Sequence, residues 1–215
     1  MLQAMFYDVA IATLQTIYMV LLSTTLAAAI GLPIGTLLFT TNKVKKHAII
    51  NKFLATIVNL SRSVPFIILL VALIPVTRLI VGTSIGINAA IVPLTLGAAP
   101  FFARLVENAY QSLTPGLIEA GHAMGATTKQ MIFYILFPEA KHGLINAVTI
   151  TAITLTNYSA MAGTVGGGGL GDLAIRYGYQ RFNITIMLVT VIILILLVQI
   201  IQMCGDKLAK RALKV

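Results

Sequence analysis

With 215 residues, 58% of them hydrophobic and only 10% charged, the chain cannot keep a globular surface in water, where soluble domains carry about 25% charged residues. The mean hydropathy of +0.95 places it in a bilayer, and its length suits one compact domain of a few spans. The net charge of +9 does not indicate nucleic-acid binding, because the basic residues cluster at the ends of apolar runs.

Five apolar runs are long enough to cross a membrane. They lie at roughly 13–40, 54–77, 85–103, 143–165 and 184–204. The opening residues lack a basic n-region, and the run behind them is too long for a signal peptide. Gly31-Leu32-Pro33-Ile34-Gly35 interrupts the first run. Pro65 and Pro75 fall in the second, and Pro93, Gly97 and Pro100 in the third. Each proline removes a backbone hydrogen bond and is expected to kink its helix around a pathway, or to serve packing alone.

Lys43, Lys45, Lys46 and Lys52 follow the first run, Lys129 and Lys141 lie between the third and fourth, and Lys207, Lys210, Arg211 and Lys214 follow the fifth. Only Arg78, Arg176 and Arg181 fall on the opposite side, while Arg62 and Arg104 are placed at inner helix edges. The positive-inside bias puts the N-terminus outside and the C-terminus in the cytoplasm. The expectation is an all-α polytopic membrane protein with five transmembrane helices. Residues 1–215 are expected to form one transmembrane domain, with 109–142 as a cytoplasmic segment.

That segment is the longest water-compatible stretch. Thr114 suits a cap, and Pro115 the first helical position. Gly125 supplies a stop, and Thr127 or Thr128 caps a second short helix ending near Pro138.

The fourth run is the most polar. Thr154, Asn157, Met161 and Thr164 share one face, flanked by Tyr158 and Ser159. Such residues either glue helices together or line a pathway. With no charge placed deep in a span, an ion-coupled carrier is disfavoured. The outer loop holds Gly166, Gly168 and Gly171, which match GxGxxG without the strand or βαβ unit that motif needs. The loop is expected to be a flexible turn followed by a surface helix carrying Arg176, Tyr177, Tyr179 and Arg181.

Chemistry is missing elsewhere. There is no P-loop and no HExxH; His47, His122 and His142 are scattered, and the six acidic residues are dispersed. The single cysteine, Cys204, excludes an internal disulfide and a thiolate metal cluster. No catalytic set and no metal site is expected. A chain with a large cytoplasmic segment and no nucleotide site needs an outside energy source.

Glu119-Ala120-Gly121, then Gly125, Ile135 and Phe137-Pro138 carry the spacing of a known motif. They resemble the EAA loop of permease subunits in bacterial ATP-binding-cassette importers, with Gly121 in place of the second alanine and Phe137 in place of leucine. Arg62 to Leu70, Ile74-Pro75 through Val81 to Gly86, Ala90 to Thr95, Gly97 to Phe101, Val106 to Ala109 and Tyr158 to Met161 look like methionine importer permeases. The resemblance implies a type I importer permease in the bacterial cytoplasmic (inner) membrane. It implies a homodimer, two cytoplasmic ATPase subunits that bind ATP and Mg, and an extracytoplasmic methionine-binding lipoprotein; no cofactor belongs to this chain. Glu119, Ala120, Gly121, Gly125 and Pro138 would couple to the ATPase. Thr154, Asn157, Tyr158, Ser159 and Met161 would line or gate the pathway, with Met161 and its dimer mate narrowing the outer end. The alternatives are a permease for another small amino-acid-like solute, or an ion-coupled carrier or channel.

Overall fold

The structure, a computed structural model, describes residues 2–212. Lys214 of the basic tail lies outside the described residues. Among those described, every regular element is helical. Helix α1 (Leu2–Phe39) continues through a π-helical turn, Thr40–Val44. Then follow α2 (Ala48–Ser63), α3 (Phe66–Ala72), α4 (Ile74–Val81) and α5 (Ile87–Gln111). The cytoplasmic-segment candidates are α6 (Pro115–Ala123) and a helical run made of α7 (Thr128–Gln130), a π stretch Met131–Leu136 and α8 (Phe137–Glu139). The chain ends with α9 (Lys141–Gly163), α10 (Gly169–Leu173), a π stretch Ala174–Tyr179 and α11 (Ile184–Ala212).

Three helices are long and apolar enough to cross a membrane: Phe6–Val44, Ile87–Gln111 and Ile184–Ala212. The pair α2 and α3 makes a fourth if its 99° bend lies within one crossing. Helix α9 is long enough at 23 residues, but its threonines, asparagines and basic first turn dilute its apolar content.

The prolines do not act alike. The first run is not interrupted, because α1 passes unbroken through Pro33, and α5 passes through Pro93 and Pro100. Gly31 and Gly35 mark a close helix crossing instead. A Cβ on Gly31 would lie 2.6 Å from the Ala99 carbonyl oxygen, and one on Gly35 2.3 Å from that of Ala103. Small residues let two backbones touch where lipid offers no hydrophobic drive to hold helices together. The Tyr110 hydroxyl, 3.2 Å from Thr36 Oγ1, ties the same two helices further along. Pro75 stands in the first turn of α4, just after the break at Leu73. Pro65 separates α2 from α3. Val64 before it is extended, as the residue preceding proline prefers, and the chain turns sharply.

The glycine-rich loop after α9 is packed, which corrects the expectation of a flexible turn. A Cβ on Gly163 would meet the Asp172 nitrogen at 2.2 Å, and one on Gly171 the Ala160 carbonyl at 2.4 Å. The Gly169 N–H donates to Gln15 Oε1 (3.0 Å) and the Leu170 N–H to Thr16 Oγ1 (2.9 Å). Helix α10 therefore folds back against α1 and α9, and Leu170 and Leu173 are buried with Val9, Ala12 and Ile186. Beyond it Asp172 accepts from Arg176 and holds that guanidinium above its ordinary pKa. Arg176 and Arg181 both lie over the Tyr177 ring, at 5.6 and 4.5 Å.

Candidate functional site: the helix pair after α5 and the polar face of α9

Helix α6 starts at Pro115, whose missing N–H is one the first turn has no partner for. Thr114 is extended but makes no side-chain capping bond, so that expectation fails; only its carbonyl accepts, from Leu117 N–H at 3.1 Å. The stop at Gly125 is a complete Schellman turn. Gly125 has φ +72°, its N–H reaches His122 O, and the Ala126 N–H reaches Gly121 O, each at 3.0 Å. Thr127 then starts the next helix with a full capping box: Gln130 N–H donates to its hydroxyl, and its own N–H donates to Gln130 Oε1 at 2.8 Å.

These caps fold the pair into a hairpin closed through Gly121. That residue is buried, and a Cβ there would lie 2.6 Å from the Met131 methyl and 2.8 Å from Ile135 Cδ1. Glu119, Ala120, Gly125 and Pro138 are exposed around it. Met124, Phe133 and Tyr134 are exposed beside them at 76%, 67% and 79%, a large exposed apolar area. The opposite side of the hairpin is anchored. Met131 and Leu136 are fully buried in a cluster with Phe39, Phe102, Val106 and Tyr110 from the ends of α1 and α5. A push on the exposed face therefore acts on two long helices through close-packed side chains.

On α9, Asn157 and Met161 are exposed, as is Thr164 just past its end, while Thr154 is half-buried. Ser159 does not: it is buried, and its hydroxyl donates to Thr156 O at 2.7 Å. Tyr158 is half-buried, and its ring stacks on Phe66, 4.2 Å between centroids.

Sequence reasoning missed three polar arrangements. Glu107 is buried at 3% exposure, paired with Arg104 and accepting from Gln111 Nε2, while Arg104 also donates to Asn59 Oδ1 on α2 at 2.7 Å. Arg62 is not simply an inner-edge charge; it borders a cavity shared with Gly97, Phe101 and Tyr158. His142 is not a solvated loop residue. Its Nδ1 is 3.0 Å from Ala209 O on α11, and Asn146 Nδ2 is 3.1 Å from its Nε2. The i, i+3 spacing of Arg104 and Glu107 was the only one of these signals present in the sequence.

Similarity to known proteins follows the same geometry. The family model for the inner membrane component of binding-protein-dependent transport systems matches residues 27–214. The probable D-methionine transport system permease protein MetI of Vibrio cholerae is 57% identical over 202 residues, covering 93% of this chain and 90% of that one. The D-methionine transport system permease protein MetI of Escherichia coli is 55% identical over 151 residues, covering 69% and 70%. A chain of the MetNI methionine ABC transporter, solved in inward-facing conformations, superposes with a TM-score of 0.97 at 48% identity over 99% of each chain. An amino acid ABC transporter with histidines shares the fold at a TM-score of 0.78 and 18% identity over 96% of this chain and 94% of that one. With nearly its whole length matched by the family model and its helices superposed on a solved relative, the chain belongs to the family of inner membrane components of binding-protein-dependent transport systems.

Proposed function

We propose that the chain is the permease subunit of an ATP-driven importer that moves methionine across the bacterial cytoplasmic membrane. It works as a homodimer, docks two ABC ATPases that bind ATP and Mg, and receives methionine from an extracytoplasmic binding lipoprotein. The observation that carries this reading is the superposition on the MetNI permease chain along 99% of both chains. The exposed apolar hairpin gives the ATPase a surface, and its buried side gives the coupling a route.

In this reading the chain crosses five times, through α1, the bent run from α2 to α4, α5, α9 and α11, with the N-terminus outside. Glu119, Ala120, Gly121, Gly125 and Pro138 belong to the coupling hairpin. Closure of the ATPases draws two hairpins together, and the shared core cluster passes that motion to α1 and α5. Each nucleotide state must favour one arrangement of the helices for coupling to occur. Thr154, Asn157 and Met161 face the passage, Tyr158 stands beside it, and Ser159 holds the local backbone of α9.

The test is reconstitution in liposomes with the ATPase and the binding protein. ATP-dependent uptake of labelled L- and D-methionine is expected, with little uptake of unrelated amino acids. Glu119→Ala should lower uptake and ATP hydrolysis together. Met161→Ala should raise ATP hydrolysis without raising uptake. Uptake that persists without ATP would establish a channel or carrier instead, and preference for another solute a different importer.

A further inference from the structure

The break at Pro65 borders a half-open site that the coupling hairpin does not use. Arg62, exposed in the last turn of α2, borders a cavity of 120 Å³ whose other walls include Phe66, Gly97, Phe101 and Tyr158. Its guanidinium carbon is 5.9 Å from the centre of the Phe101 ring.

The cavity lies deep. Gly86 N–H donates to Gly166 O at 2.9 Å, which fixes one end of α5 and α9 at a common level. At 1.5 Å per residue, Gly97 and Tyr158 sit about 16 and 12 Å from that level, near the middle of a core about 30 Å thick. An arginine at such a depth is costly unless something pairs with it. Among the described residues the ion pairs are Arg104–Glu107 and Arg176–Asp172, and neither includes Arg62.

Opposite charge is available within one turn. Val64 is extended and Pro65 has no N–H, so the helix supplies no further donors to the terminal carbonyls of α2. These carbonyls carry the negative end of the helix dipole. A guanidinium and a carbonyl-rich helix end, side by side, match the carboxylate and ammonium of a zwitterion. The stacked Phe66 and Tyr158 rings offer an apolar wall beside them.

We infer that this cavity is a transient subsite for the head group of the transported amino acid. Arg62 donates to the α-carboxylate, and the α2 carbonyls accept from the α-ammonium. The head group enters the cavity. The side chain stays in the passage towards Met161, one helical turn beyond Tyr158. The inference rests on the importer reading above.

The test compares wild type, Arg62→Gln, Arg62→Lys and Gly97→Ala in the reconstituted complex with ATPase and binding protein. The readout is labelled L-methionine imported per ATP hydrolysed. Arg62→Gln should lower that ratio about tenfold or more, the loss expected for one charge-assisted contact. Arg62→Lys should recover part of it. Gly97→Ala keeps the arginine and narrows the cavity, its Cβ 3.2 Å from Leu69 Cδ2, and should also lower the ratio. Wild-type import with an unchanged ratio in Arg62→Gln and Gly97→Ala overturns the subsite alone, including the case where uptake and hydrolysis fall together. No methionine import by wild type overturns the importer reading and the subsite with it.

Discussion

Gly35 and Gly121 are both places where the chain approaches itself, and the atoms they approach differ in kind. A Cβ on Gly35 meets the Ala103 carbonyl and Val106 Cβ, neither of which can move without separating α1 from α5. Gly35→Ala should therefore destabilise by about 1–3 kcal/mol, visible as a lower Tm in detergent. A Cβ on Gly121 meets the mobile ends of Met131 and Ile135, so Gly121→Ala should cost under about 1.5 kcal/mol. This fits the alanine that related EAA loops carry there. A third residue-scale test concerns Arg104 and Glu107, a pair with one largely buried member. A double-mutant cycle on Arg104→Ala and Glu107→Ala should give a coupling of about 1–3 kcal/mol by thermal unfolding. A coupling near zero would mean that Asn59 and Gln111 hold the two groups independently.

The hairpin of α6 and the helical run after it was the most legible element, because its punctuation is local. Pro115, Gly125 and the Thr127–Gln130 pair each act within a few residues, and a spacing rule can see them. Its exposed face makes a sharper prediction. Phe133→Ser with Tyr134→Ser should weaken co-purification with the ATPase about tenfold or more while changing the permease's own stability by about 0.5 kcal/mol at most. Undiminished co-purification would mean that the ATPase docks elsewhere. Other elements were less legible because their physics is tertiary. Pro33 and Pro65 look alike in sequence, yet α1 continues where neighbouring Gly31 and Gly35 clamp it to α5, and α2 ends where Val64 is free to extend. The glycines from Gly163 to Gly171 suggested flexibility by composition alone, whereas their lack of side chains admits backbone from α9 and α10. His142 was misread because its partner, Ala209 O, lies 67 residues later, near the end of α11.

At the scale of the molecule, helix length and apolarity leave the fate of α9 open, and the basic residues argue for five crossings. A single-cysteine series settles the count. With the exposed Cys204 replaced by Ser, Thr83→Cys and Phe182→Cys should react with an impermeant maleimide in intact cells, and Met124→Cys only in inverted vesicles, so that α5 and α9 each cross. The reverse pattern would turn the chain over, and labelling of Met124→Cys and Phe182→Cys on one side would remove α9 from the crossings. The fold-back of α10 adds a condition on how the molecule is made. Gln15 and Thr16 receive their partners, Gly169 and Leu170, from 154 residues later in the chain. At about 5–20 residues per second, a ribosome needs roughly 8–30 s to supply them. During that interval α1 sits in the membrane with one polar patch unanswered, visible to any membrane protease or insertase that senses such patches. Completion of α10 is thus the step at which that patch on α1 is first satisfied.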